Sequence, residues 1–455
     1  MSIEGRLFGV LARADAAADA VVKTVAEAAT ENPADPAVDN PCTIRMADPA
    51  VIGRALRASR AHTLGVFACY ERALGPAAMA VPYSTEINPP LWELGHIAWF
   101  QEYWISRNPQ IRLGIGADSD APRAPSLRPD ADRHYDSSRV EHTARWRLPV
   151  ADGAATRDYL DRTLDQTLQI VDDWPASTNP LRSLAYFGWL ALVHEDMHGE
   201  AAIYMANSLS IALEASRPRA IGTDGSRPHA GSNCLEIPAG VRETGSGDAA
   251  CAFDNEMPPQ RTPLDTYAID AVPVSNAAFA EFIEAGGYDQ PRHWTPAGWV
   301  WRERCSPGWP RYWRRSGQRW EQRWFGAWEA IVGEAPVSNV SAHEADAWCR
   351  WAGRRLPREL EWECAALAYG PQAGMRGRGA FAWGEVWEWT ADAFEPYPGF
   401  IPHPYRDYSL PWFGSRRCLR GASFATQARM RYLRYRNFFP AERNDIFAGF
   451  RSCPR

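Results

Sequence analysis

Two histidines stand four residues apart in Ala191-Leu192-Val193-His194-Glu195-Asp196-Met197-His198-Gly199-Glu200-Ala201, inside an apolar run of helical character. At about 100° per residue, His194 and His198 fall within roughly 40° of each other on one helix face, where both rings can reach a single metal ion. Polar groups in an apolar helix are costly to bury unless something binds them, so this spacing points to metal ligation. Two ligands do not complete a site. His96, in Asn88-Pro89-Pro90-Leu91-Trp92-Glu93-Leu94-Gly95-His96-Ile97-Ala98-Trp99-Phe100, is the other place where a histidine interrupts an apolar, Trp-rich helical pattern, and it is the candidate third ligand. Taken alone, a histidine such as His96 in an apolar run is more often a hydrogen-bonded core residue than a ligand.

His194 to His198 also satisfies H-E-x-x-H, the zinc protease pattern in which the glutamate is the general base. That chemistry needs a further ligand downstream. The extended form wants Gly at 201 and His at 204, where the chain has Ala201 and Tyr204; a thermolysin-like site would have to use Glu214, just before a Pro/Arg/Gly-rich stretch. Glu200 lies about 200° round the helix from His198, which suits a supporting role better than ligation.

The 455 residues exceed one ordinary core, and two domains are expected. Hydrophobic content of 45% with 23% charged residues describes a globular chain, and a formal net charge of -6 gives no reason to expect nucleic acid as a partner. Lys23 is the only lysine, which removes Schiff-base and Walker-type chemistry. Nine cysteines, odd in number and without a C-x-x-C pair, read as reduced thiols. No membrane span or signal peptide is expected, and a cytoplasmic location follows.

Residues 1–47 read as a flexible Ala/Asp/Glu/Pro-rich extension with a short helix around Ile3 to Ala29. From 48 to 216, helical periodicity over Pro49 to Ala73, Leu91 to Ile105, Thr156 to Asp173 and Pro180 to Ala215 predicts a helical bundle with metal ligands projecting inward from facing helices. A long loop between the second and third segments carries His134, Tyr135, Asp136 and His142, whose spacing fixes no metal geometry. Residues 217–247 read as a linker. Over 248–455 the strands are short and most of the 21 Trp occur, so this domain must draw its core from aromatics and loop packing.

The C-terminal half contains Phe253-Asp254-Asn255-Glu256, Pro273-Val274-Ser275-Asn276, Gly353-Arg354-Arg355-Leu356-Pro357, Trp387-Glu388-Trp389-Thr390, Leu419-Arg420-Gly421, Arg436-Asn437-Phe438-Phe439-Pro440 and Gly449-Phe450-Arg451. That series resembles the formylglycine-generating-enzyme (sulfatase-modifying-factor) fold, a C-type-lectin-like domain. The N-terminal half, with His96 and the H-x-x-x-H-x-E of His194, His198 and Glu200, resembles a DinB-like four-helix bundle. Joined in this order, the two resemble the non-haem iron sulfoxide synthases of ergothioneine and ovothiol biosynthesis, which implies an α+β chain of two domains. Formylglycine generators carry a cysteine pair after the Arg-Gly-Gly motif; here no cysteine follows Arg420-Gly421-Ala422 until Cys453, so copper–thiolate chemistry is not expected.

Within that family, the residues around the histidines look most like the selenoneine synthase branch. Ergothioneine enzymes usually place Gln before the second histidine of the pair, where this chain has Met197, and the mycobacterial type follows its pocket Asn with Trp-Asp, where this chain has Phe438-Phe439. The resemblance implies Fe(II) held by His96, His194 and His198, with open positions for two organic reactants and O2. It implies hercynine and a 1-seleno-sugar as substrates, coupled at the imidazole C2 to a selenoxide that breaks down to selenoneine. Cysteine or γ-glutamylcysteine in place of the selenosugar is the alternative. Asn437, Phe438 and Phe439 would hold the trimethylammonium end of hercynine, with Met197 nearby. Tyr397 is the expected catalytic tyrosine, with Tyr405 and Tyr408 as rivals. A ligand-binding module without catalysis stays open, and it would bind no iron.

Overall fold

Asp48 and Pro49 open the first long helix. The Asp48 carboxylate accepts a hydrogen bond from the Val51 amide at 3.2 Å, Pro49 occupies the first helical turn, and Gly75, at φ 83°, ends the run. The computed structural model describes residues 35–75, 79–175, 177–213, 218, 234–370 and 380–455. The helix expected around Ile3 to Ala29 lies outside them.

The N-terminal helices are α1 (Pro41–Arg45), α2 (Pro49–Leu74), α3 (Pro90–Trp104), α4 (Ala131–Tyr135), α5 (Gly153–Asp172) and α6 (Ala185–Leu209). α2 lies along α6, α6 against α3, α3 along α5 and α5 against α2, which closes a four-helix bundle. α5 buries one stripe, as an amphipathic helix does, but α3 and α6 are buried on nearly every side. Their outer faces are covered by the C-terminal half: Tyr405 packs edge-on to Phe100, and Phe253 lies 5.0 Å from Trp189. This double coverage explains why both helices read as apolar all round.

The C-terminal half contains α7 (Asn276–Glu284), α8 (Pro296–Cys305), α9 (Ala342–Trp351) and α10 (Glu359–Tyr369). Its strands are β1 (Cys234–Ile237), β2 (Gly240–Thr244), β3 (Gln260–Leu264), β4 (Tyr267–Asp270), β5 (Trp313–Ser316), β6 (Arg319–Trp324), β7 (Ala327–Ala330), β8 (Arg354–Arg355), β9 (Trp387–Ala393), β10 (Arg417–Gly421), β11 (Asn437–Phe439), β12 (Ala448–Gly449) and β13 (Cys453–Pro454). The largest sheet has the order β11-β10-β9-β12, antiparallel except for the β9/β12 pair, and it sets Asn437 opposite Leu419 at the edge.

Buried ion pairs fasten this small-stranded domain. Arg451 binds both oxygens of Glu388, Arg420 reaches Glu363 and Glu359, and Arg436 shares Glu359. The Arg-Gly and Gly-Phe-Arg motifs are therefore accounted for by packing. All nine cysteines are free thiols.

Two expected boundaries change. The linker read over 217–247 ends earlier, because β1 pairs with β4 and β2 with β3, making residues 234–244 part of the C-terminal domain. The extension read over 1–47 is ordered at its end: α1 forms under an Asn40 cap, and Arg45 Nε donates to the Cys251 carbonyl at 2.7 Å. Short polar stretches with proline at their edges gave no period from which either could be seen.

Candidate metal centre and substrate cavity

His96 projects from α3, and His194 and His198 project from successive turns of α6, so that their ligand nitrogens lie within 4.8 Å of one another. The Nε2 atoms of His194 and His198 face each other at 3.3 Å. His96 Nδ1 donates to the Tyr135 carbonyl at 2.7 Å, and His198 Nδ1 donates to the Glu93 carboxylate. With Nδ1 committed as a donor in both rings, their Nε2 lone pairs point into the same space. Converging lone pairs repel unless a cation lies between them, so the donor set fits one metal ion.

The surroundings keep His96 and His194 in the neutral form that a metal requires. Burial, together with the neighbouring His198, pushes His96 down to about 3, and burial likewise pushes His194 well below the ordinary histidine value. Burial alone would raise Glu93, but its contact and hydrogen bond with the His198 ring outweigh this and hold the carboxyl at about 2. Asn88 donates to the other oxygen of Glu93, and Arg145 Nη1 holds Asn88 Oδ1 at 2.8 Å. Ring orientation is fixed by packing as well. His96 stacks on Trp92 with centroids 4.9 Å apart, and His194 stacks on Phe100 at 3.5 Å. Gly95 lets Tyr135 approach, since a Cβ there would stand 2.2 Å from the tyrosine ring.

The carboxylates of the H-E-x-x-H segment face elsewhere. Glu195 pairs with Arg60 at 2.8 Å inside the bundle, and Asp196 takes a two-pronged bond from Arg429 of the C-terminal domain at 2.6 and 2.7 Å. Neither is available as a general base. Glu200, which lines the cavity, accepts from Trp387 Nε1 and from the Ser423 and Thr426 hydroxyls, tying α6 to the C-terminal domain. His134 lies 3.2 Å from the Asp130 carboxylate, and His142 bonds the Ile87 carbonyl, so neither joins the triad.

The triad opens into a cavity of about 660 Å³ between the two halves. Met197, Asn437, Phe438 and Phe439 all line it, as expected of substrate-contacting residues. Tyr397 does not. Its ring lies under the Arg436 guanidinium at 4.1 Å, within the C-terminal core. Its rivals Tyr405 and Tyr408 both line the cavity, and the Tyr405 ring is 6.2 Å from that of His194. Several residues here gave no sequence signal of function: Glu93, Arg145, and Tyr135, which acts through its backbone carbonyl. Only Glu93 could have been found, as a carboxylate three residues before a candidate ligand on the same helix face.

A model of the DinB superfamily matches residues 55–202, and one of the sulfatase-modifying factor enzyme 1-like domain matches 223–385 and 379–454. A DinB-type bundle whose histidines face such a domain is the architecture defined by this fold and site. Hercynine oxygenase of Mycolicibacterium smegmatis is 32% identical over 421 residues, covering 81% of this chain and 91% of its own length. That of Mycobacterium tuberculosis is 31% identical over 444 residues, 89% of this chain and 99% of its own. The chain belongs to the hercynine oxygenase family and is an oxygen-dependent oxidoreductase. Bovine formylglycine-generating enzyme matches over 184 residues, 38% of this chain and 47% of that enzyme, with 32% identity. No helix among the described residues is long and apolar enough to cross a membrane.

Proposed function

We propose that this protein is an Fe(II)- and O2-dependent synthase that joins the imidazole C2 of hercynine to the selenium of a 1-seleno-sugar, giving a selenoxide. The observation that carries this reading is the convergence of three imidazoles on a cavity lined by Asn437, Phe438 and Phe439. The C2–H and Se–H bonds break and a C2–Se bond forms. One atom of O2 ends on selenium and the other leaves as water, so coupling and selenium oxidation together supply its four electrons.

Ferrous iron held by His96, His194 and His198 would supply the redox chemistry, for which zinc offers no electron step. Glu93 and the Tyr135 carbonyl fix two of the rings. Tyr405, whose hydroxyl burial keeps protonated, stands on the triad side of the cavity as proton donor. The trimethylammonium group of hercynine wants aromatic faces, which Phe438, Phe439 and Tyr408 present, and Asn437 offers the polar anchor beside them. The three residues that differ from those ergothioneine patterns, Met197, Phe438 and Phe439, all lie on the cavity wall, which supports a change of chalcogen donor.

One observation favours a second reading, a C–S synthase using cysteine or γ-glutamylcysteine. Arg145 lines the cavity with its guanidinium over Trp92 at 4.0 Å and has no carboxylate partner among the described residues, as suits an acidic donor. Assaying the iron-loaded protein with hercynine and each donor in turn separates the two. Turnover with selenosugar and little with the thiols is expected; the reverse would replace the first reading by the second.

A further inference from the structure

The Phe253-Asp254-Asn255-Glu256 segment touches both α6, which carries two of the histidines, and the loop between β9 and β10, which carries Tyr405 and Tyr408. Phe253 packs on Trp189 of α6 and also stacks on Tyr408, with centroids 4.3 Å apart. Asp254 takes hold of the loop at two points: Ser409 Oγ donates to its Oδ1 at 2.5 Å, and the His403 amide donates to its Oδ2 at 3.4 Å. Asn255 Nδ2 adds a bond to Ser409 Oγ at 3.1 Å. The His403 ring in turn meets α6, its Nδ1 standing 3.3 Å from the Tyr186 hydroxyl.

Tyr405 lies between the two points, so both ends of its short segment are tied to one carboxylate. Asp254 is 2% exposed and, among the described residues, has no cationic partner; burial pushes its carboxyl up to about 6. A carboxylate buried without a counter-charge is costly, and packing alone would be served by a neutral side chain. Two acceptor oxygens are what the loop needs if an amide and a hydroxyl several residues apart are to be held at once. We infer that Asp254 is a positioning residue for Tyr405, setting the place of its hydroxyl relative to the triad by fixing His403 and Ser409, an inference that rests on the reading of Tyr405 as proton donor. A proton donor loses its effect steeply when displaced. Hercynine binding depends on it far less, because Asn437, Phe438 and Phe439 come from β11 and Tyr408 keeps its stack on Phe253.

The test is a double-variant cycle on the iron-loaded, full-length protein, read as oxygen uptake with hercynine and whichever of selenosugar, cysteine or γ-glutamylcysteine it turns over. Asp254→Ala should lower kcat about tenfold, with the hercynine KM within about twofold and ferrous-ion affinity unchanged. Added to Tyr405→Phe, it should slow turnover by less than about twofold further, because the group it places is already gone. A residue needed only for folding would multiply the two losses instead. Asp254→Asn, which keeps an acceptor for Ser409, should recover part of kcat. If Asp254→Ala does not fold, Ser409→Ala removes the other end of the same bond and should give the same cycle. If Tyr405→Phe slows turnover but the losses multiply, or if Asp254→Ala and Ser409→Ala leave kcat unchanged, Asp254 does not position the tyrosine and the proton-donor reading survives. If Tyr405→Phe leaves kcat unchanged, both fall.

Discussion

Glu93 and His198 come from facing helices, and the Glu93 carboxylate accepts the Nδ1 proton of His198. This contact sets the tautomer of a ring whose other nitrogen faces the triad. Glu93→Gln should keep the fold yet weaken iron affinity by roughly 10- to 100-fold, because the amide holds the ring without its charge. Titration of the apoprotein with ferrous ion under anaerobic conditions measures this. Unchanged affinity would remove Glu93 from the site.

Tyr405 and Tyr397 make a paired test of the catalytic tyrosine. Tyr405→Phe should lower kcat about 10²-fold or more with the hercynine KM little altered, as loss of a positioned proton donor does. Tyr397→Phe should leave kcat near wild type, since its hydroxyl has no hydrogen-bond partner in the C-terminal core. Rapid-quench measurement of product under saturating substrates distinguishes them.

The Asp196–Arg429 pair crosses between the halves of the molecule, with both side chains buried. Removing one partner leaves the other charge buried alone, so Arg429→Ala should cost about 3–5 kcal/mol of stability. Denaturant unfolding of the apoprotein measures the loss. The double variant Asp196→Asn with Arg429→Ala should recover part of it.

Acid should destabilise the apoprotein through buried histidines. Burial pushes His403 down to about 4, so as pH falls below the ordinary 6.5 the unfolded chain takes up a proton that the folded chain refuses. The contribution is intact above about pH 7.5, is eroded as pH falls, and reaches a loss of roughly 2 kcal/mol at pH 5. His403→Gln should flatten that part of the stability–pH curve. A curve unchanged between pH 7 and 5 would contradict the assignment.

Most of the centre was legible in the sequence because its parts are local. The i, i+4 spacing of His194 and His198 is read directly, and the helices that begin at Pro49, capped by Asp48, and at Pro90 follow from apolar periodicity with proline at their start. His96 came from pattern, and its partnership with the other two is a tertiary fact. What escaped depends on contacts distant in sequence: the Tyr135 carbonyl reaches His96 because Gly95 leaves room, and that Tyr405 lines the cavity while Tyr397 does not depends on the path of the loop after β9. β1 and β2 were hidden for a similar reason. They are four- and five-residue strands with exposed faces, and they become strands by pairing with β4 and β3.

The most direct test of a three-imidazole ferrous centre is iron content together with hercynine-dependent oxygen uptake in wild type and in His96→Ala. Iron should bind in a single tight site in the wild type and drive uptake, and His96→Ala should lose both. A His96→Ala protein that keeps its iron and its oxygen uptake would show that α3 contributes no ligand and would contradict the assignment at its root.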